Sequence, residues 1–139
     1  MKVNEETKKM VKSEFDASIE HQYALCNQDG VLYSSNAYVR EKKSINSVVR
    51  CPFFFFFIDC FFKIGNDCFA CGMEAMTTGH PFIETTINGN KIRLEIQHIH
   101  EVMLVKRRII NTNIFIEKLF VIELENKIFC IELKNKYAF

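Results

Sequence analysis

The stretch Cys51-Pro-Phe-Phe-Phe-Phe-Phe-Ile-Asp-Cys-Phe-Phe62 constrains this chain more than any other, because Phe53 to Phe57 form a segment with no polar side. A segment apolar all round must be covered on every face, line a cavity, or stay exposed and drive association. Crossing a bilayer takes about 20 apolar residues. Asp59 and Lys63 interrupt the run well short of that. The run therefore reads as a buried core segment and not as a transmembrane helix.

The rest of the chain can supply such a core. Its 139 residues suit one domain, and 48% hydrophobic content with 13% aromatics excludes a disordered chain. A formal charge of +1, from 18 basic and 17 acidic side chains, offers no field that favours nucleic acid or an anionic membrane. Lys106-Arg107-Arg108 reads as a solvated loop. The first sixteen residues, MKVNEETKKMVKSEFD, lack the apolar segment of a secretory signal. The expectation is a cytoplasmic protein whose cysteines are thiols or metal ligands before they are disulfides.

Along the chain, Val3, Met10, Val11, Phe15 and Ile19 predict an amphipathic helix within residues 1–20, followed by one domain over 21–139. Apolar runs flanking Asp29-Gly30 predict strands at about 22–27 and 31–35. From Ala37 to Thr78 no alternation persists, which suggests several short helices, one of them broken at Pro52. Asn66-Asp67 as a cap and Gly79 with Pro81 as a stop predict a helix over 68–78, in which Gly72 costs about 1 kcal/mol relative to Ala. Asn88-Gly89 predicts a hairpin in which Thr85 faces Ile92, Ile83 faces Leu94 and Glu84 faces Arg93. Its apolar face collects Ile83, Ile87, Ile92, Leu94 and Ile96. After a polar loop around Lys106–Asn113, two more strands meet at Glu125-Asn126-Lys127.

That order resembles the PAS domain. The residues carrying the resemblance are YALCNQDGVLYSSNAYVRE, from Tyr23, and CFFKIGNDCFACGMEAMTTGHPFIETTINGNKIRLEIQHI, from Cys60. The second resembles bacterial sensor domains with a Cys, a Cys-x-x-Cys pair, a Thr-Gly and then a central hairpin. The resemblance implies an α+β fold: a single antiparallel sheet of about five strands, short helices inserted after the second strand, and a ligand pocket between them. It implies a sensory or dimerising role without catalysis. The five-Phe run and the strand after residue 126 depart from the pattern.

The candidate chemistry divides in two. In the ligand reading, Phe54 and Phe57 belong to a helical lid, and Ile83, Ile92, Leu94, Ile96 and His98 line the sheet side of a pocket for a small molecule. His98, on the side of Ile92 and Leu94, is a possible ligand to haem iron or a metal, or a hydrogen-bonded core histidine. In the metal reading, Cys51, Cys60, Cys68, Cys71 and His80 supply donors for zinc or an iron–sulfur cluster. Cys51 and Cys60 also read as small hydrophobes beside the Phe run. Cys68, at the start of the expected helix, reads as an activated thiol able to pair with Cys71. No nucleophile elbow, phosphate-cradling glycine loop or His-Glu-x-x-His is present, so no enzyme is expected. The leading expectation is a cytoplasmic sensory module, homodimeric, passing a signal to a partner protein. The rival is a small metal-binding or thiol redox protein using Cys60, Cys68 and Cys71.

Overall fold

The computed structural model describes residues 5–36 and 47–132. Helix α1 (Glu5–Phe15) precedes a hairpin of β1 (Leu25–Gln28) and β2 (Val31–Ser34). Then come β3 (Val48–Cys51), β4 (Phe54–Ile64), β5 (Asp67–Gly79), β6 (Phe82–Ile87), β7 (Asn90–Glu95) and β8 (Ile99–Asn111). A short 3-10 turn, Thr112–Ile114, leads to β9 (Glu117–Leu124) and β10 (Lys127–Glu132). Six strands close into an antiparallel barrel in the order β10-β8-β5-β4-β3-β9, with β9 returning to β10. The hairpins β1–β2 and β6–β7 are separate two-stranded sheets.

This closed barrel overturns the PAS-like expectation of one open sheet with several inserted helices. Residues 48–79 are three strands where helices were expected; the part of that expectation on 37–46, like Val3 in the first helix, lies outside the described residues. The physical reason is burial on both faces. A strand covered on both sides reads as a continuous apolar run, which periodicity cannot distinguish from a buried helix. Phe55 and Phe57 of β4 point into the barrel with Val48, Ala75, Val102, Val121 and Cys130, a cluster that draws on all six strands. On the outer face, Phe56, Ile58 and Phe61 are covered by Cys26 and Tyr33 of the β1–β2 hairpin and by Phe115. Full burial of Phe56, Phe61 and Phe62 contributes about 2–3 kcal/mol each.

A bulge at Asp59 separates the two halves of β4: the register shifts between Ile58 and Cys60. The extra residue swaps the parity of the strand, so Cys60 and Phe62 take the inward side after Phe55 and Phe57 held it. Asp59 itself accepts a hydrogen bond from Asn36 Nδ2 at 3.0 Å and pairs with Arg107. Cys60, Phe62, Cys71 and Ile109 thus line one end of the barrel, where Val11 of α1 and Ile19 close it. Phe15 packs on Phe69 with ring centroids 4.9 Å apart. Arg107 ties α1 to the barrel through Glu6, Nε to Oε1 3.0 Å. The expected loop over Lys106–Asn113 is instead largely the second half of β8, whose pairing with β5 runs through Asn111.

The expected helix over 68–78 is β5, paired with β4 on one side and β8 on the other. Ala, Met and Glu favour a helix locally, but two full ladders of hydrogen bonds override a propensity of tenths of a kcal/mol per residue. The hairpin at Asn88-Gly89 has the expected register, including Ile83 with Leu94, Glu84 with Arg93 and Thr85 with Ile92. Both turn residues have positive φ, 52° and 80°. The β9–β10 hairpin turns at Glu125-Asn126, also both at positive φ. Among the described residues no helix is long and apolar enough to cross a membrane.

Candidate functional site

The expected ligand-binding set does not come together. Phe54 stands on the outer face of β4 beneath the Arg108 guanidinium, 4.7 Å from the ring centroid, whereas Phe57 points inward. Ile83, Ile92 and Leu94 lie on the β6–β7 ribbon, with Ile83 56% and Leu94 54% exposed. Among the described residues no aromatic lid roofs them. Ile96 sits at the foot of the ribbon, its N–H donating to the Pro81 carbonyl at 2.8 Å. The barrel cannot replace the missing pocket, because even eight strands leave an interior that side chains fill. Here six strands enclose Phe55, Leu119 and their neighbours.

His98 lies in the turn before β8 and not on the sheet's core side. Its Nδ1 is 3.9 Å from Glu132 Oε2, and His100 Nε2 is 3.0 Å from the same oxygen. Arg50 Nε reaches the other oxygen of Glu132 at 3.4 Å and Glu117 Oε1 at 2.8 Å. His80 bonds the Ile99 carbonyl through Nδ1 at 2.9 Å, and its ring is tilted by 57° to that of His100, with centroids 4.8 Å apart. This end of the barrel is a network of ion pairs between β3, β8, β9 and β10.

The five expected metal donors are dispersed. Cys60 and Cys71 are cross-strand partners under α1, Cys51 is on β3 in the outer cluster, and His80 follows the far end of β5. Cys68 and Cys71 are three residues apart on a strand, so they point to opposite faces. A helix would have put them together. Among the described residues no three His, Cys, Asp or Glu side chains converge to hold a metal.

Two thiol pairs replace that cluster. In the first, Cys60 donates to Cys71, an interaction that pulls the Cys71 thiol down to about 7 despite its burial, helped by Thr7 and by Arg107. The same contact pushes Cys60 up. Thr7 Oγ1 of α1 is 3.9 Å from the Cys71 sulfur, and neither thiol is accessible. In the second pair, Cys26 Sγ of β1 lies 3.2 Å from Cys68 Sγ of β5. Burial, followed by the Cys26 contact, pushes the Cys68 thiol up to about 12. Both residues border a cleft of about 470 Å³ lined chiefly by polar side chains, among them Lys63, Asp67 and Asn111. The sequence reading missed Cys26; no local spacing links residues 42 positions apart, and only the packing of the first hairpin on β5 joins them.

Among the described residues, an exposed apolar feature runs over the ribbon and the outer face of β9 and β10. Ile83, Ile87 and Leu94 are each more than half exposed. At the foot of the ribbon, Pro81, Ile96 and Ile99 form a groove of about 230 Å³ with Ile122, Phe129 and Ile131. Among known proteins, no family model, curated protein or solved structure matches this chain.

Proposed function

We propose that this chain is a non-catalytic interaction module that assembles with a second copy of itself through the β6–β7 ribbon. The observation that carries the reading is an isolated two-stranded sheet with one uncovered apolar face. Such a hairpin is marginal in water, and added strands or a covering surface stabilise it. The two edges differ. β7 carries Lys91 and Arg93, charges that discourage strand addition, while β6, Phe-Ile-Glu-Thr-Thr-Ile, carries neither Lys nor Pro.

An antiparallel pairing of β6 with its own copy about a two-fold axis at Thr85 sets Ile83 opposite Ile87 and Glu84 opposite Thr86. No like charges face each other. The product is a four-stranded sheet with the isoleucines and leucines of both copies on one face. A cytoplasmic setting belongs to this reading. A pocket under a helical lid does not belong to it, since residues 48–79 are strands.

Sedimentation velocity across a range of concentrations tests the proposal. The wild-type chain is expected to dimerise, and the double substitution Ile83→Lys with Ile87→Lys to stay monomeric, because each lysine then meets another. Ile83→Lys with Ile87→Glu places opposite charges across the two-fold axis and is expected to restore association. A wild-type chain that is monomeric throughout overturns the reading.

A further inference from the structure

We propose that Cys26 and Cys68 form a reversible disulfide, making the floor of the polar cleft a site of exchange with small-molecule disulfides of the glutathione type. Three observations carry it. The two sulfurs lie 3.2 Å apart, in hydrogen-bond contact, on elements that meet only through tertiary structure. Cys68 is only part-buried, and both residues line the cleft, so a small disulfide has a route to them. The floor is also held in place: Thr112 Oγ1 bonds the Cys68 carbonyl at 3.1 Å and Gln28 Oε1 at 2.7 Å, tying β5 to β1 beside the sulfurs. Lys63 at the cleft supplies a positive charge for the carboxylates of a glutathione-type molecule.

The Cys60–Cys71 pair is the weaker candidate, since α1 covers it and both residues are almost fully inaccessible. Exchange needs a route by which the small disulfide reaches the sulfur, and α1 and Ile19 block it here.

The exchange balances in two steps. Cys68, the more exposed of the two, gives up its proton to solvent and attacks one sulfur of oxidised glutathione as its thiolate, a minor form because burial holds its pKa up, so the step is slow; the S–S bond breaks and one glutathione thiolate leaves and takes up a proton. Cys26 then attacks the Cys68 sulfur of the mixed disulfide and expels the second glutathione thiolate. The protein loses two electrons and two thiol protons, and the small disulfide is reduced to two thiols. The new bond fastens the β1–β2 hairpin to β5 and closes a loop of 42 residues. By the loop-entropy argument it raises the thermal midpoint by on the order of 10 °C.

The test uses the full chain, reduced and then incubated with oxidised glutathione. Thiols are counted after denaturation, and linked peptides are mapped by mass spectrometry. The expected result is loss of two thiols, a Cys26–Cys68 linked peptide, and full recovery on adding dithiothreitol. Retention of every thiol overturns the proposal, as does a bond at Cys60–Cys71 or a bond between chains. Cys26→Ser removes the resolving thiol and is expected to trap the mixed disulfide on Cys68. A Cys26→Ser chain that still loses two thiols places the chemistry on another pair and overturns the assignment.

Discussion

Gly72 of β5 stands so close to the main chain of Phe57 that a Cβ built on it would meet the Phe57 carbonyl oxygen at 1.9 Å. The obstacle is backbone, with a second contact to the Phe57 carbonyl carbon at 2.9 Å, so no side-chain rotation relieves it. The close approach lies next to the Asp59 bulge, where β4 and β5 are most strongly reshaped. Gly72→Ala is therefore expected to destabilise the protein by about 3 kcal/mol or more, at or beyond the upper end for overpacked cores. Urea unfolding checks this, and a loss under about 0.5 kcal/mol, the range of ordinary surface changes, would contradict the strand pairing.

The same glycine shows why part of the fold was hidden. Within a helix it is a weak point, and Ala would improve it; between two strands it is a requirement. No local pattern distinguishes these roles, because the residue that demands it, Phe57, belongs to another element. What local chemistry did reveal was the turns. Asp29-Gly30 and Asn88-Gly89 place hairpins correctly, the second with its register, since positive φ at adjacent residues is a property of the dipeptide itself.

Ribbon and barrel substitutions should separate cleanly. Ile83→Lys falls on a side chain more than half exposed and is expected to change the unfolding free energy of the single chain by less than about 0.5 kcal/mol. Phe56→Ala, at a side chain with no exposed surface, is expected to cost about 3–5 kcal/mol. Chemical denaturation at a concentration low enough to keep the chain monomeric compares them. Similar losses from the two would mean that the ribbon face is covered within one copy.

Alkaline stability follows from the thiols. Burial pushes Cys51, Cys68 and Cys130 up to about 12 from an ordinary value near 9. Their contribution is complete below about pH 9 and is lost as pH climbs toward 12, because the unfolded chain releases these protons first. Cys71 has the opposite sign: held down to about 7, chiefly by the Cys60 hydrogen bond, it adds stability above pH 9 that disappears as pH falls through 7. Denaturation midpoints measured from pH 6.5 to 11 are expected to rise and then fall. Cys71→Ser should flatten the rise and spare the fall; a variant that keeps the full rise would assign it to another group.

Helix α1 and Ile19 beyond its end cover the Cys60–Cys71 pair at this end of the barrel. Val11, with no exposed surface, is the helix's anchor, and Val11→Asp is expected to undock the helix while the barrel remains closed. Since the Cys60 hydrogen bond holds the Cys71 thiol down to about 7 and burial is what shields it, its alkylation by iodoacetamide should accelerate at least tenfold in that variant. Peptide-resolved labelling kinetics measure this. Unchanged labelling at Cys71 would mean that access is controlled by β4, β5 and β8 alone.

Of the candidate site, individual residues were visible in advance and their grouping was not. The cysteines stood out by type, yet the spacing of Cys68 and Cys71 suggested a shared ligand only because a helix was assumed; on a strand, an odd separation sends them to opposite sides. The apolar side of the ribbon was read correctly from its alternation, but whether it faces a core or solvent is set by what lies across from it. Local chemistry is enough to settle where this chain turns, where its first helix forms and which face of the ribbon is apolar, because each depends on residues within one turn or one strand. Barrel closure, the dispersal of the expected metal donors, the meeting of Cys26 with Cys68 and the need for glycine at position 72 depend on contacts between residues far apart in the chain. Those contacts have no local signature, and only the folded arrangement decides them.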